Sequence, residues 1–216
     1  MPIVSAPAEN MGGDFIFGLG IKEIDANQRH CGVIYRPDAE VVRFLHLAFH
    51  FDLRDEALNG TYWWAPSGLD PENQLVLAAL ANVIAEGHPS IPYGFDMDGL
   101  IFDKATGALL PAPPGRGLTC ATFVLAMLQT YGFEPILSRS WEVRHEDEQW
   151  QDQILAYMQE RGASPEHLDA IRSAESNKRF RPEEVVGTAA QQVDEWAIEF
   201  ERAQLLAAEV LRDMAG

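Results

Sequence analysis

One cysteine stands where proteins often place a thiol nucleophile. Cys120 lies in GLTCATFVLAML (117–128), directly after Thr119, and the apolar spacing of this segment predicts a helix that Thr119 caps. The free N–H groups and partial positive charge of a helix N-terminus stabilise a thiolate, and they can hold the oxyanion formed when a carbonyl is attacked. Cys120 is therefore a candidate nucleophile, and a small buried structural thiol is the alternative.

A thiol nucleophile needs a base, and a predicted hairpin upstream of Cys120 carries three histidines. The segments CGVIYR (31–36) and VVRFLHLAFHFDLR (41–54) flank a turn at Pro37-Asp38 and predict two antiparallel strands. The histidines on this hairpin are His30, His46 and His50. Alternation along the second strand places His46, His50 and Asp52 on one face, opposite an apolar face. A metal site at these three residues is an alternative, which no H-x-H pair or cysteine cluster supports.

The second cysteine, Cys31, directly follows His30. Strand alternation predicts that Cys31 points to the opposite face from His30 and is a buried, inert thiol. We therefore expect its Cβ vector to diverge from that of Cys120, so that no disulfide joins the two cysteines.

Two short motifs, HCGVIY (30–35) and CATFV (120–124), together resemble the circularly permuted papain-like hydrolases, which are permuted relatives of the NlpC-type peptidases and the lecithin:retinol acyltransferase-like proteins. In that group a histidine opens a strand, a second polar residue comes from the following strand, and the cysteine comes last at a helix start. The resemblance covers about residues 14–132.

The resemblance implies a role for each candidate residue. Cys120 would be the nucleophile, His30 the general base, and His46 the residue that orients the His30 imidazole. His50 remains the alternative for this third role, depending on the hairpin register. The implied activity is a cysteine hydrolase of amide bonds in a peptide or cell-wall peptide stem, acting through an acyl-enzyme without a cofactor or metal. An acyltransferase or thioesterase with the same intermediate, and a non-catalytic binding module, are the alternatives.

The resemblance and the element pattern predict an α+β fold, in which a small antiparallel sheet packs on the cysteine-bearing helix. We expect a loose N-terminal arm (1–13), a permuted papain-like catalytic domain (14–140) and a helical C-terminal extension packed on it (141–216). Whether this extension is a cover or a separate lobe stays open. The predicted helices include one that Asp70 caps, one after Ser164-Pro165, one starting near Phe180, and a long one after Thr188 whose capping box Gln191 completes.

A competing motif, FDMDGLIFD (95–103), is similar to the first motif of the haloacid dehalogenase-like phosphatases, where Asp96 and Asp98 would be nucleophile and general acid with Mg²⁺. Such a site needs a buried strand before the aspartates. The preceding GHPSIPYG contains two prolines and two glycines, so the pattern favours a turn over Asp96 to Gly99.

Composition narrows the possible partners. The formal net charge of −17 argues against sequence-independent binding to nucleic acid or to an anionic membrane surface. No window is long and apolar enough for a membrane span, and no signal peptide is recognisable, so we expect a cytoplasmic protein that acts on a peptide or acyl substrate. The oligomeric state stays open.

Overall fold

The computed structural model describes residues 2–6, 11–12, 14–25, 28–37, 41–174 and 178–216. The fold is α+β, with a five-stranded antiparallel sheet in the order β4-β3-β2-β1-β5. The strands are β1 (Phe17–Asp25), β2 (Gln28–Tyr35), β3 (Arg43–Phe49), β4 (Asp52–Ala57) and β5 (Trp63–Pro66). The helices are α1 (Pro71–Gly87), α2 (Cys120–Gln129), α3 (Glu148–Glu160), α4 (Pro165–Arg172), α5 (Pro182–Ala189) and α6 (Phe200–Ala215).

The segment 41–54, predicted as one strand, is a tight hairpin of β3 and β4. The chain turns at His50 and Phe51, where Phe51 has a left-handed backbone (φ 57°) and donates its N–H to the Ile91 carbonyl at 3.0 Å. His50 is therefore not on the strand face that carries His46. The predicted Pro37-Asp38 turn falls partly on residues 38–40, which lie outside the described residues.

The two faces of the sheet pack against different parts of the molecule. One face packs on α2 and carries fully buried aliphatic side chains, including Ile21, Val33 and Leu47. The opposite face holds a smaller cluster of Ile34, Phe44 and Tyr62. Because α2 is covered all round, residues 120–128 are all buried, which explains its continuous run of apolar residues.

Local caps begin both of the first two helices as predicted. The Asp70 side chain accepts the Asn73 N–H at 3.0 Å at the start of α1. At α2, Thr119 accepts the Thr122 N–H while the Thr122 hydroxyl accepts the Thr119 N–H, which forms a capping box. Cys120 is therefore the first residue of α2.

The predicted long helix after Thr188 is wrong. Thr188 lies inside α5, and the next α-helix begins only at Phe200. Between them the Trp196 indole donates to the Gln191 carbonyl at 2.9 Å, and Ile198 forms a parallel bridge to Ile136. These contacts leave only a short 3-10 helix (Val193–Glu195) in the connection, although its apolar residues have α-helical spacing.

The C-terminal region packs on the sheet and is not a separate lobe. Helix α5 contacts β1, β2 and α2, and one continuous apolar core includes residues from both sides of residue 140. The N-terminal segment is anchored too: Val4 is buried and Ser5 pairs with Trp64, whereas residues 1, 7–10 and 13 of the predicted arm lie outside the described part. Among the described residues, no helix has both the length and the apolar character needed to cross a bilayer.

Candidate active site

The N-terminus of α2 places the Cys120 thiol at the end of the sheet, beside the start of β2. The thiol belongs to a residue with 8 % exposure, and Thr119 caps the helix directly before it. The first N–H groups of a helix have no partner within the helix, so they point toward whatever binds at this end. This position confirms the helix-start placement predicted for Cys120.

His30 and His46 lie together, as the predicted hairpin required. Their ring nitrogens, His30 Nε2 and His46 Nδ1, are 2.7 Å apart. His46 is 4 % exposed, and its ring stacks on Phe44 with the centroids 4.7 Å apart. Burial, followed by the nearby charge of His30, lowers the pKa of His46 to about 3. His46 is therefore neutral near pH 7 and can accept a hydrogen bond from a protonated His30.

Gly32 makes room for His46 between the strands. Val33 pairs with Leu45 and Ile34 with Phe44, so the same register places Gly32 opposite His46. A Cβ at position 32 would lie 2.6 Å from the His46 Cβ and 2.6 Å from the Leu45 carbonyl oxygen. The glycine of the H-x-G motif is thus required by the packing of the second histidine.

Cys31 lies beside Cys120, which contradicts the predicted divergence of the two side chains. The hydrogen bond from Cys31 is the largest cause that lowers the pKa of the Cys120 thiol well below its usual value. Burial opposes this, while the charge of the His30 imidazole and its hydrogen bond lower the pKa further. Burial, together with Cys120, raises the pKa of Cys31. Both cysteines are free thiols. Cys120 is therefore the acidic member of the pair, and Cys31 is a buried donor.

His50 contacts the backbone of Tyr93, whereas a third catalytic residue would contact His30. Its Nδ1 accepts the Tyr93 N–H at 3.1 Å, while the Tyr93 carbonyl lies 2.8 Å from Nε2 of His167. Burial, and then the charge of His167, lower the pKa of His50 to about 4. His50 thus fixes the backbone of Tyr93, and His46, not His50, contacts His30.

The surroundings of Cys120 include residues that the sequence did not point to. A cavity of about 20 Å³, enough for one water molecule, adjoins the thiol. Its lining residues are Gln28, Arg29, Tyr93, Thr119, Cys120, Trp150, Arg179, Phe180 and Pro182. Four of these come from the C-terminal region, which therefore covers the thiol. No sequence motif links Trp150 or Arg179 to Cys120, because tertiary packing alone brings them there.

His30 and His46 open to a second, wider hollow. This hollow has a volume of about 300 Å³ and contains the basic residues Lys22, Arg54 and Arg161 as well as Asp52. His30 thus lies between the buried thiol and a surface hollow large enough for part of a substrate.

The metal alternative concerns His46, His50 and Asp52, and the phosphatase alternative concerns Asp96 and Asp98, which line a hollow of about 320 Å³. No group of three or more His, Cys, Asp or Glu residues in the described ranges is arranged to hold a metal ion. Asp96 pairs with Arg116 at 3.2 Å and accepts the Asp98 N–H at 3.0 Å, and the chain turns at Asp98 and Gly99. These aspartates lie in a loop, as the Pro- and Gly-rich sequence before them predicted.

Comparisons with known proteins identify no similar protein. No family model matches the sequence, no curated protein matches it significantly, and no solved structure matches the chain significantly.

Proposed function

We propose that the protein is a cysteine hydrolase that cleaves an amide bond in a peptide, with Cys120 as nucleophile, His30 as general base and His46 as the residue that orients His30. The observation that carries this proposal is the hydrogen-bonded His30–His46 pair beside a thiol whose pKa His30 and Cys31 lower. A nucleophile, a base and an orienting group in contact are the arrangement that covalent acyl transfer uses.

The chemistry follows from this arrangement. His30 takes the thiol proton, and the Cys120 sulfur attacks the substrate carbonyl while first-turn N–H groups of α2 stabilise the oxyanion. The imidazolium of His30, held by neutral His46, then gives its proton to the leaving amine, which leaves an acyl-enzyme on Cys120. A water molecule that His30 deprotonates attacks the thioester, and the collapse of the intermediate releases the acid and restores the thiol.

The order of the histidine and cysteine motifs along the chain supports the proposal of a permuted papain-like fold for residues 14–140. The histidine strand β2, the strand β3 with the second histidine, and the cysteine helix α2 follow in the order that the resemblance implies. The resemblance also implies a narrower substrate class within peptides, namely a cell-wall peptide stem.

The test is the rate of Cys120 alkylation by iodoacetamide between about pH 5 and 9, followed by mass spectrometry of the Cys120 peptide. A thiol with a lowered pKa stays reactive at mildly acidic pH, whereas an ordinary thiol loses reactivity there. His30→Ala should move the reactive range to higher pH, and Cys120→Ser should abolish labelling. An ordinary alkaline profile in the native protein would instead identify a binding module with an inert thiol.

A further inference from the structure

We propose that the substrate carries a carboxylate next to the acyl group that Cys120 attacks, and that Arg29 and Arg179 bind this carboxylate. This inference rests on the proposed function and adds the substrate class that the same site accepts. Both guanidinium groups line the small cavity that adjoins the thiol, and among the described residues that line it none is acidic.

Arg179 is held rigidly in the wall of this cavity. Its side chain is 10 % exposed, and its guanidinium lies over the Trp150 ring at 3.8 Å from the centroid. Its ion pair with Asp147 spans 2.9 Å, but the same carboxylate also binds Arg144 and Arg181. Arg144 also pairs with Glu184 and Arg181 with Glu146, so the three guanidinium groups meet three carboxylates and Asp147 fixes Arg179 in place.

Arg29 has an unsatisfied donor in the same wall. Its Nε is buried and has no hydrogen-bond partner in the described part of the chain. Its ion pair with the exposed Glu23 is long, at 4.0 Å. Burial raises the pKa of the nearby Glu183, whereas the charge of Arg29 lowers it. A buried guanidinium N–H without an acceptor is costly, and a planar substrate carboxylate would supply one.

The space beyond the cavity fits a chain that extends from such a carboxylate. A cleft of about 780 Å³ shares Gln28, Arg29, Trp150 and Arg179 with the cavity of Cys120. On the other side of His30 the hollow of about 300 Å³ holds Lys22, Arg54 and Arg161, of which Arg54 pairs with Asp52. The large cleft also contains Asp25, Glu146, Asp147 and Glu183, so the cationic wall without acidic residues is confined to the small cavity at Cys120. This favours a substrate whose carboxylate lies next to the scissile bond over a peptide that is acidic along its length.

The experiment compares Cys120 alkylation by iodoacetate, which carries a carboxylate, with alkylation by neutral iodoacetamide. In both reactions the thiolate sulfur forms a bond to the methylene carbon and iodide leaves with the electron pair. The ratio of the two rate constants is divided by the same ratio for N-acetylcysteine amide, a neutral reference thiol, which cancels the reactivity of the thiolate itself. We expect this normalised ratio to be about tenfold or more in the native protein, as for one charge-assisted contact.

Arg29→Gln should lower the ratio toward one, and Arg29→Lys should restore part of it. Arg179→Gln should act in the same direction wherever circular dichroism shows a folded protein. Arg202→Gln, which removes an exposed arginine of α6, is the matched charge control and should leave the ratio unchanged. A native ratio near one with fast iodoacetamide labelling at acidic pH would overturn the carboxylate site alone. A thiol that reacts slowly with both reagents at acidic pH would overturn the proposed function and the carboxylate site with it.

Discussion

At the scale of single residues, two neighbours of Cys120, Cys31 and His30, lower the pKa of its thiol. The His30 imidazole supplies charge and a hydrogen bond, while the Cys31 thiol supplies a hydrogen bond without charge. His46 touches neither sulfur in this scheme and acts through His30, to which it is hydrogen-bonded at 2.7 Å. In the proposed mechanism His46 is therefore a positioning residue.

Replacement of His46 tests this positioning role. His46→Ala should slow Cys120 alkylation near pH 6 by roughly tenfold, because the protonated His30 loses its acceptor. His46→Asn, whose amide oxygen can accept the same hydrogen bond, should recover part of the rate. His50→Ala is the control and should leave the rate near the native value. If His50→Ala slows alkylation at this pH and His46→Ala does not, the third residue has been assigned wrongly.

Replacement of Cys31 tests the second donor. The pKa of Cys120 is lowered, and the hydrogen bond from Cys31 is the largest cause, so Cys31→Ala should raise this pKa. The pH at which alkylation reaches half of its maximal rate should then move upward, with the loss of rate greatest on the acidic side. Cys31→Ser keeps a donor and should move the profile less. An unchanged profile in Cys31→Ala would mean that His30 alone activates the thiol.

At the scale of elements, the packing of β2 on β3 decides which histidine reaches His30. The hairpin turn at His50 and Phe51 ends β3 shortly after His46, and the small residue at Gly32 lets the His46 ring lie across β2. The predicted register placed residues near 46 opposite His30. The observed register places Gly32 opposite His46, so the two histidines meet diagonally.

Substitution of Gly32 by alanine should disturb this arrangement. The added Cβ would lie 2.6 Å from both the His46 Cβ and a backbone oxygen, neither of which can move without shifting a strand. We expect Gly32→Ala to reduce the free energy of unfolding by about 1–3 kcal/mol, measured by urea denaturation. Gly12→Ala is the matched control, because an added Cβ there meets nothing within 4 Å. Equal stability of the two variants would contradict the described packing.

At the scale of the whole molecule, the C-terminal region controls access to the thiol. Trp150 on α3 and the segment before α5 complete the wall around Cys120, leaving a cavity of about 20 Å³. Arg144 ties these pieces together through Asp147 and through Glu184 of α5. The region is therefore a cover that belongs to the site.

Removal of the Trp150 side chain should open this cover. Trp150→Ala should accelerate Cys120 labelling by a bulky maleimide several-fold more than labelling by iodoacetamide, because the steric barrier grows with reagent size. Leu205→Ala on α6 removes an exposed apolar side chain away from the site and serves as the control. If Trp150→Ala accelerates labelling by both reagents equally, or by neither, Trp150 does not restrict access to Cys120.

Local sequence determined the parts of this site that depend on a few neighbouring residues. The cap at Thr119 and the apolar run after it define where α2 begins, and so where Cys120 lies, because capping involves atoms within four residues. Strand alternation and the H-x-G spacing likewise predicted that His30 and His46 lie on adjacent strands, which are β2 and β3. Tertiary structure alone decided the contact of Cys31 with Cys120, the role of His50 at Tyr93, and the cover formed by Trp150 and Arg179. These depend on where strands end and on how elements distant in sequence pack, which periodicity within one segment does not encode.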